Sequence, residues 1–178
     1  MIALMLEQIL NFRDLPIHIR LIHLISMGLM HGLVGALLVQ VFTPYNPIYG
    51  FIFGVLPDID YVFHYAAIFA GDHAGIMYHR GLTHTFAFLI GVVIFLWLAG
   101  APESIVHSAV LGIGSHLLID TASGWGVMWF WPISDVWIEF PLSLNAPEKS
   151  IAMVGISALL LYLTIDKDRH YREEGIQQ

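Results

Sequence analysis

Four stretches of this chain, about residues 21–42, 84–101, 104–122 and 149–165, are close to unbroken runs of apolar side chains. A helix that crosses a bilayer needs roughly 20 such residues. Inside a bilayer the backbone must satisfy its own hydrogen bonds, which leaves helices and closed barrels. The runs predict an all-α, polytopic membrane helix bundle of about four spans. The overall balance agrees: charged residues are 12% of the chain and hydrophobic ones 57%, whereas a soluble domain carries about a quarter charged residues. No repeat, low-complexity stretch or composition break divides residues 1–178, so a single membrane domain is expected.

Shorter segments add detail. The run IYGFIFGVL at 48–56 stops at Pro57. It is too short to span alone and reads as a half-helix or buried piece at the outer face. Near the start, Ile2, Leu6, Ile9 and Leu10 share one helical face, which suits a helix lying on the membrane surface. Glu7 and the lack of a basic leader argue against a signal peptide. Arg13 and Arg20 precede the first span, and Lys167, Arg169 and Arg172 follow the last. The positive-inside rule then places both termini in the cytoplasm with an even number of spans. Should 48–69 also cross, the count becomes five and the termini separate. With four spans, 43–83 and 123–148 share the outer end, where Tyr45, Tyr49, Tyr61, Tyr65, Tyr78, Trp125, Trp129, Trp131 and Trp137 would anchor at the interface. WGVMWFWPISDVW at 125–137 reads as an interfacial or re-entrant element.

The polar residues in this apolar chain are of one chemical kind. There are ten histidines and no cysteine, so thiolate metal sites and disulfides are excluded. A net charge of −7 without basic runs argues against nucleic-acid binding. His31 interrupts the first span. Asp58 and Asp60 follow in PDID, HRGLTH supplies His79, Arg80 and His84, and GSHLLID supplies His116 and Asp120. His116 and Asp120 are four apart and share a helix face. A short turn at Gly100–Pro102 makes the second and third spans antiparallel, so His84 meets that pair at one depth. Asp58 and Asp60 point one way if their segment is extended. His31, about mid-span, must face the bundle.

Four histidines and three aspartates can thus converge. Imidazoles with carboxylates suit Zn²⁺, Mn²⁺ or Fe²⁺ better than Mg²⁺ or Ca²⁺. Seven candidates exceed one tetrahedral zinc, leaving two ions or supporting roles for the surplus. Each residue also has a plainer role. His31 and His107 could be helix–helix hydrogen-bonding partners, Asp58 a turn residue, Arg80 a salt-bridge partner for a site aspartate, and His64 and His73 interfacial side chains. Unpaired carboxylates at membrane depth would be expensive, and one cation accounts for the whole pattern.

PDID, HRGLTH and HLLIDTASGWG followed by Trp131–Pro132 resemble the YdjM-like family of membrane-bound, metal-dependent hydrolases, some of them named as LexA-binding inner-membrane proteins. The resemblance covers about 24–135 and carries the family pattern onto His31, Asp58, Asp60, His79 to His84, His116, Asp120, Thr121, Gly124 and Pro132. Tyr61 departs from it, because family members often have His there. The ligand order is also distantly similar to that of zinc-dependent phospholipases C, which implies phosphoester hydrolysis by analogy alone. The resemblance implies an inner-membrane hydrolase with one or two divalent ions, most readily zinc. Asp58 or Asp60 would bind metal or accept a proton, and Arg80 would bind a phosphate or carboxylate. Membrane lipids are the expected surroundings, and a lipid head group or lipid phosphate the expected substrate. The rival roles are a metal transporter, for which His107 is the one polar stepping stone toward the other face, and a metal-stabilised interaction protein. Haem ligation fits the carboxylates poorly.

Overall fold

The computed structural model describes residues 16–61, 80–123, 126–140, 142 and 147–175. The described residues form an all-α bundle of five helices: α1 (Ile17–Phe42), α2 (Pro47–Val55), α3 (Phe86–Leu98), α4 (Glu103–Thr121) and α5 (Pro147–Gly175). Among the described residues, two helices are long and apolar enough to cross a membrane, through Leu24–Phe42 in α1 and Lys149–Asp166 in α5. Pro47–Ile59 and Phe86–Leu98 are shorter apolar helices. The expected surface helix around Ile2, Leu6, Ile9 and Leu10 lies outside the described residues, as do Arg13, His64, Tyr65, His73, Tyr78, His79, Gly124 and Trp125.

Local sequence sets the helix ends. Asn46 caps α2 by accepting from the Ile48 N–H at 3.0 Å, with Pro47 in the first turn. Pro57 then tightens the chain into a 3-10 turn over Leu56–Ile59. The extended segment expected at PDID is therefore a helical turn, and Asp60 continues it with right-handed helical angles. A second 3-10 turn, Leu82–His84, leads into α3. There Thr85 accepts from Phe88 N–H at 3.1 Å and donates to the Leu82 carbonyl at 2.8 Å. The α3–α4 turn passes through Gly100 at φ +69°.

Glycine sets the packing of α1, α2 and α4. A Cβ on Gly35 would collide with the Gly50 carbonyl, and one on Gly50 with the Gly35 carbonyl. A Cβ on Gly112 would stand 2.7 Å from Phe53 Cβ and 2.8 Å from Gly54 N. These backbones touch, as small residues permit between helices in lipid.

The contacts also fix direction. Gly35 meets Gly50, while His31 meets Gly54, so α2 runs back along α1. His31 meets His116 and Gly35 meets Gly112, so α4 is also antiparallel to α1. Ser26 and Ser150 hydroxyls bond at 3.0 Å, whereas Gln40 and Ile165 line one cavity near the other end. Thus α1 and α5 run parallel. α2 makes this possible, because it carries the chain back from the α1 end toward the α1 start. Tyr45, stacked with His107 at 5.9 Å, therefore lies at the opposite end of α4 from Trp129, which donates to Thr121. Among the described residues, the aromatic side chains flank both ends of the bundle rather than crowding one.

Candidate metal centre

The site lies where α1, α4 and the two 3-10 turns meet. His31 is seven residues into the apolar stretch of α1, about 10 Å along the helix at 1.5 Å per residue. It stacks on His116 of α4 with ring centroids 3.8 Å apart. His84 approaches His116 edge-on at 4.9 Å. His31, His84, His116 and Asp120 are each at most 1% exposed. The structure thus brings His31, Asp58, Asp60, Arg80, His84, His116 and Asp120 together, with three groupings able to hold a metal ion.

Hydrogen bonds orient the rings. His116 Nδ1 lies 2.7 Å from the Gly54 carbonyl. A carbonyl only accepts, so Nδ1 carries the proton and Nε2 carries a lone pair. Thr83 donates its hydroxyl to Asp60 Oδ2 at 2.8 Å, and Thr83 Oγ1 stands 3.0 Å from His84 Nδ1. The Nδ1 edge of His84 thus faces two acceptors, Thr83 Oγ1 and Asp60 Oδ2, which leaves His84 Nε2 as a second lone pair. These two Nε2 atoms face each other at 3.0 Å. Two lone pairs at that distance repel unless a cation or proton sits between them. Two nitrogens about 2.0–2.1 Å from one tetrahedral ion stand roughly 3.3 Å apart, close to this separation.

Asp120 is divided in the same way. Its Oδ1 accepts from Arg80 Nη2 at 2.9 Å and lies 3.4 Å from His31 Nε2. Its Oδ2 is buried and, among the described residues, accepts no hydrogen bond. That oxygen stands 3.3 Å from His84 Nε2 and 3.6 Å from His116 Nε2. A buried anionic oxygen facing two imidazole lone pairs is a donor set that a cation would bridge. Asp58 Oδ1 adds a fourth atom, 3.6 and 3.7 Å from the same nitrogens. The residues fit a divalent metal.

The two PDID carboxylates diverge because a helical turn, not an extended strand, carries them. Asp58 reaches the Nε2 edge of His84, and Asp60 the Nδ1 edge at 3.3 Å. Arg80 is held by the protein rather than extended toward an open surface. Its Nη1 donates to Ser123 Oγ at 2.9 Å, the Gly126 carbonyl at 3.1 Å and the Asp120 carbonyl at 3.4 Å. Its backbone takes φ +65°, uncommon for a residue with a Cβ, and from there its N–H reaches Asp60 Oδ2 at 3.1 Å. The aromatic segment closes this end. Phe86 N–H donates to the Trp129 carbonyl at 2.9 Å, Trp129 Nε1 donates to Thr121 Oγ1 at 2.7 Å, and Val127 bridges Ile138. Trp131–Pro132 is cis. The Gly54 carbonyl and Ser123 were the site groups not singled out by sequence. A backbone acceptor has no side-chain signal, and a lone serine has none strong enough to notice.

The YdjM inner membrane protein model matches residues 22–174, and the chain belongs to that family. No curated protein and no solved structure matches the chain. Family and apolar helices together place it in the inner membrane, and the buried His/Asp clusters support a metal-dependent enzymatic function.

Proposed function

We propose that this chain is a membrane-embedded hydrolase in which His84, His116, Asp58 and Asp120 hold a divalent cation, most readily Zn²⁺, with Mn²⁺ or Fe²⁺ as alternatives. The observation that carries this reading is the meeting of His84 Nε2, His116 Nε2 and Asp120 Oδ2 within 3.6 Å of one another. A bound divalent cation supplies Lewis-acid activation of water and of a substrate oxygen. The remaining work belongs to the chain's own groups. The Gly54 carbonyl fixes the His116 tautomer. Arg80 holds Asp120 by one oxygen and turns the other toward the donors. Asp58 is the donor with open access: its side chain is 13% exposed, against 0–2% for His84, His116 and Asp120. It is placed to accept a proton from an attacking water at that edge. His31 packs behind His116 and is available to a second ion through its grouping with Asp58 and His116.

A phosphoester on a membrane lipid is the substrate class this setting suits. The site sits within the apolar depth of α1, beside a segment whose Phe130, Ile133, Val136 and Phe140 side chains are more than half exposed. Such side chains lie among lipids at the interface, and a lipid head group reaches this depth without leaving the bilayer. A metal transporter would need ligands continuing toward the other end, where His107 is stacked on Tyr45. A purely structural metal keeps four protein donors and no place for water; the hydrolase reading needs Asp58, 13% exposed, to yield its position to water and act as the proton acceptor. The test is release of phosphate or head group from detergent-dispersed phospholipids and polyprenyl phosphates. Turnover should vanish with chelator, return with Zn²⁺ or Mn²⁺, and be lost in Asp58→Asn. Metal bound at full occupancy with no turnover of any phosphoester would overturn the substrate assignment.

A further inference from the structure

Asp60 and Thr83 stand one step outside the four donors, on the far edge of the His84 ring. Asp60 Oδ2 takes three neighbours: Arg80 N–H at 3.1 Å, Thr83 O–H at 2.8 Å and His84 Nδ1 at 3.3 Å. One carboxylate oxygen offers about two lone-pair directions. The first two donors are the shorter contacts. His84 Nδ1 lies nearer to Thr83 Oγ1, at 3.0 Å, than to Asp60 Oδ2, at 3.3 Å, and the Thr83 hydroxyl hydrogen is already directed at Asp60. One hydroxyl therefore accepts from the imidazole and donates to the carboxylate. The chain reads Asp60, Thr83, His84, and it ends at His84 Nε2, facing His116 Nε2 at 3.0 Å.

We propose that Thr83 is a positioning residue of the centre: its hydroxyl relays His84 Nδ1–H to Asp60, so that His84 presents Nε2 to a metal, and Asp60 serves as the anchor of this relay rather than as a ligand through Oδ2. This rests on the metal reading above for its consequence, but the hydrogen bonding stands on its own geometry. Partners of this kind fix ring orientation and raise ligand basicity. The left-handed backbone at Arg80 belongs to the same device, because it turns a main-chain N–H onto Asp60. HRGLTH thus supplies, in five consecutive residues from Arg80 to His84, an N–H for the anchor, the relay hydroxyl and the ligand.

Two measurements test it. The first is metal affinity of purified protein titrated with Zn²⁺ alone. Thr83→Val keeps the shape and removes the hydroxyl; it should weaken affinity about 10–100-fold with stoichiometry unchanged at saturation, while Thr83→Ser should stay within about threefold of wild type. A merely structural role would be disturbed by serine as much as by valine. The second is the ¹⁵N signal of His84 in metal-free wild type, assigned by its loss in His84→Gln. Nδ1 should be of the protonated type wherever the protein stays folded. An unprotonated Nδ1 in wild type, or Thr83→Val binding Zn²⁺ as tightly as wild type, would overturn the relay. Should wild type take up no Zn²⁺, the hydrolase reading fails, while an unprotonated Nδ1 would still overturn the relay.

Discussion

Helices α3 and α4 are neighbours joined by a short turn, yet they use opposite surfaces. No residue of α3 is buried, and Phe95, Trp97 and Leu98 are about 70% exposed. α4 buries Ser108, Gly112, Ser115, His116 and Asp120 along one side. A soluble bundle would bury the more apolar helix. Here the more apolar helix faces outward and the polar one is buried. In a membrane the lipid takes the apolar surface, and the protein interior takes glycine backbones and polar networks. Hydropathy therefore reports the outward surface of α3 but says little about what α4 buries, which includes His116 and Asp120.

That contrast can be broken or sharpened by substitution. Asp120→Ala on α4 should have the largest effect. It leaves the 5% exposed Arg80 guanidinium without its carboxylate, and breaking a buried pair typically destabilises by about 3–5 kcal/mol. Denaturant unfolding in detergent measures the loss. Gly50→Ala should come next, at about 1–3 kcal/mol from overpacking, because the Gly35 carbonyl occupies the place of the new Cβ. Gly91→Ala on α3 is the counterpart. Nothing lies within 4 Å of its Cβ position, so the change should be neutral or stabilise by up to about 1 kcal/mol through reduced backbone freedom. Equal destabilisation at Gly50 and Gly91 would erase the distinction between the two helices.

The same contrast explains what sequence could tell. Apolar runs near 21–42, 104–122 and 149–165 correspond to α1, α4 and α5, and Pro57 marks the end of α2 as its ring chemistry requires. His84, His116 and Asp120 meet as the short α3–α4 turn implied. Direction was not legible. Whether 48–59 turns back along α1 depends on Gly35, Gly50, Gly54 and Gly112 letting backbones touch, and isolated glycines carry no such message without their partners. The diverging roles of Asp58 and Asp60 were hidden for a related reason: alternation favours an extended reading, and Pro57 produces a helical turn instead.

As proposed, His84, His116, Asp58 and Asp120 are a donor set for a cation. The most direct test of this is elemental mass spectrometry of detergent-purified protein beside the His84→Gln, His116→Gln double variant, with folding checked by circular dichroism. Near-stoichiometric Zn, Mn or Fe in wild type, absent from the folded double variant, is the expected result. Wild type that carries no metal and takes up none on reconstitution would contradict it, and the facing Nε2 atoms would then share a proton.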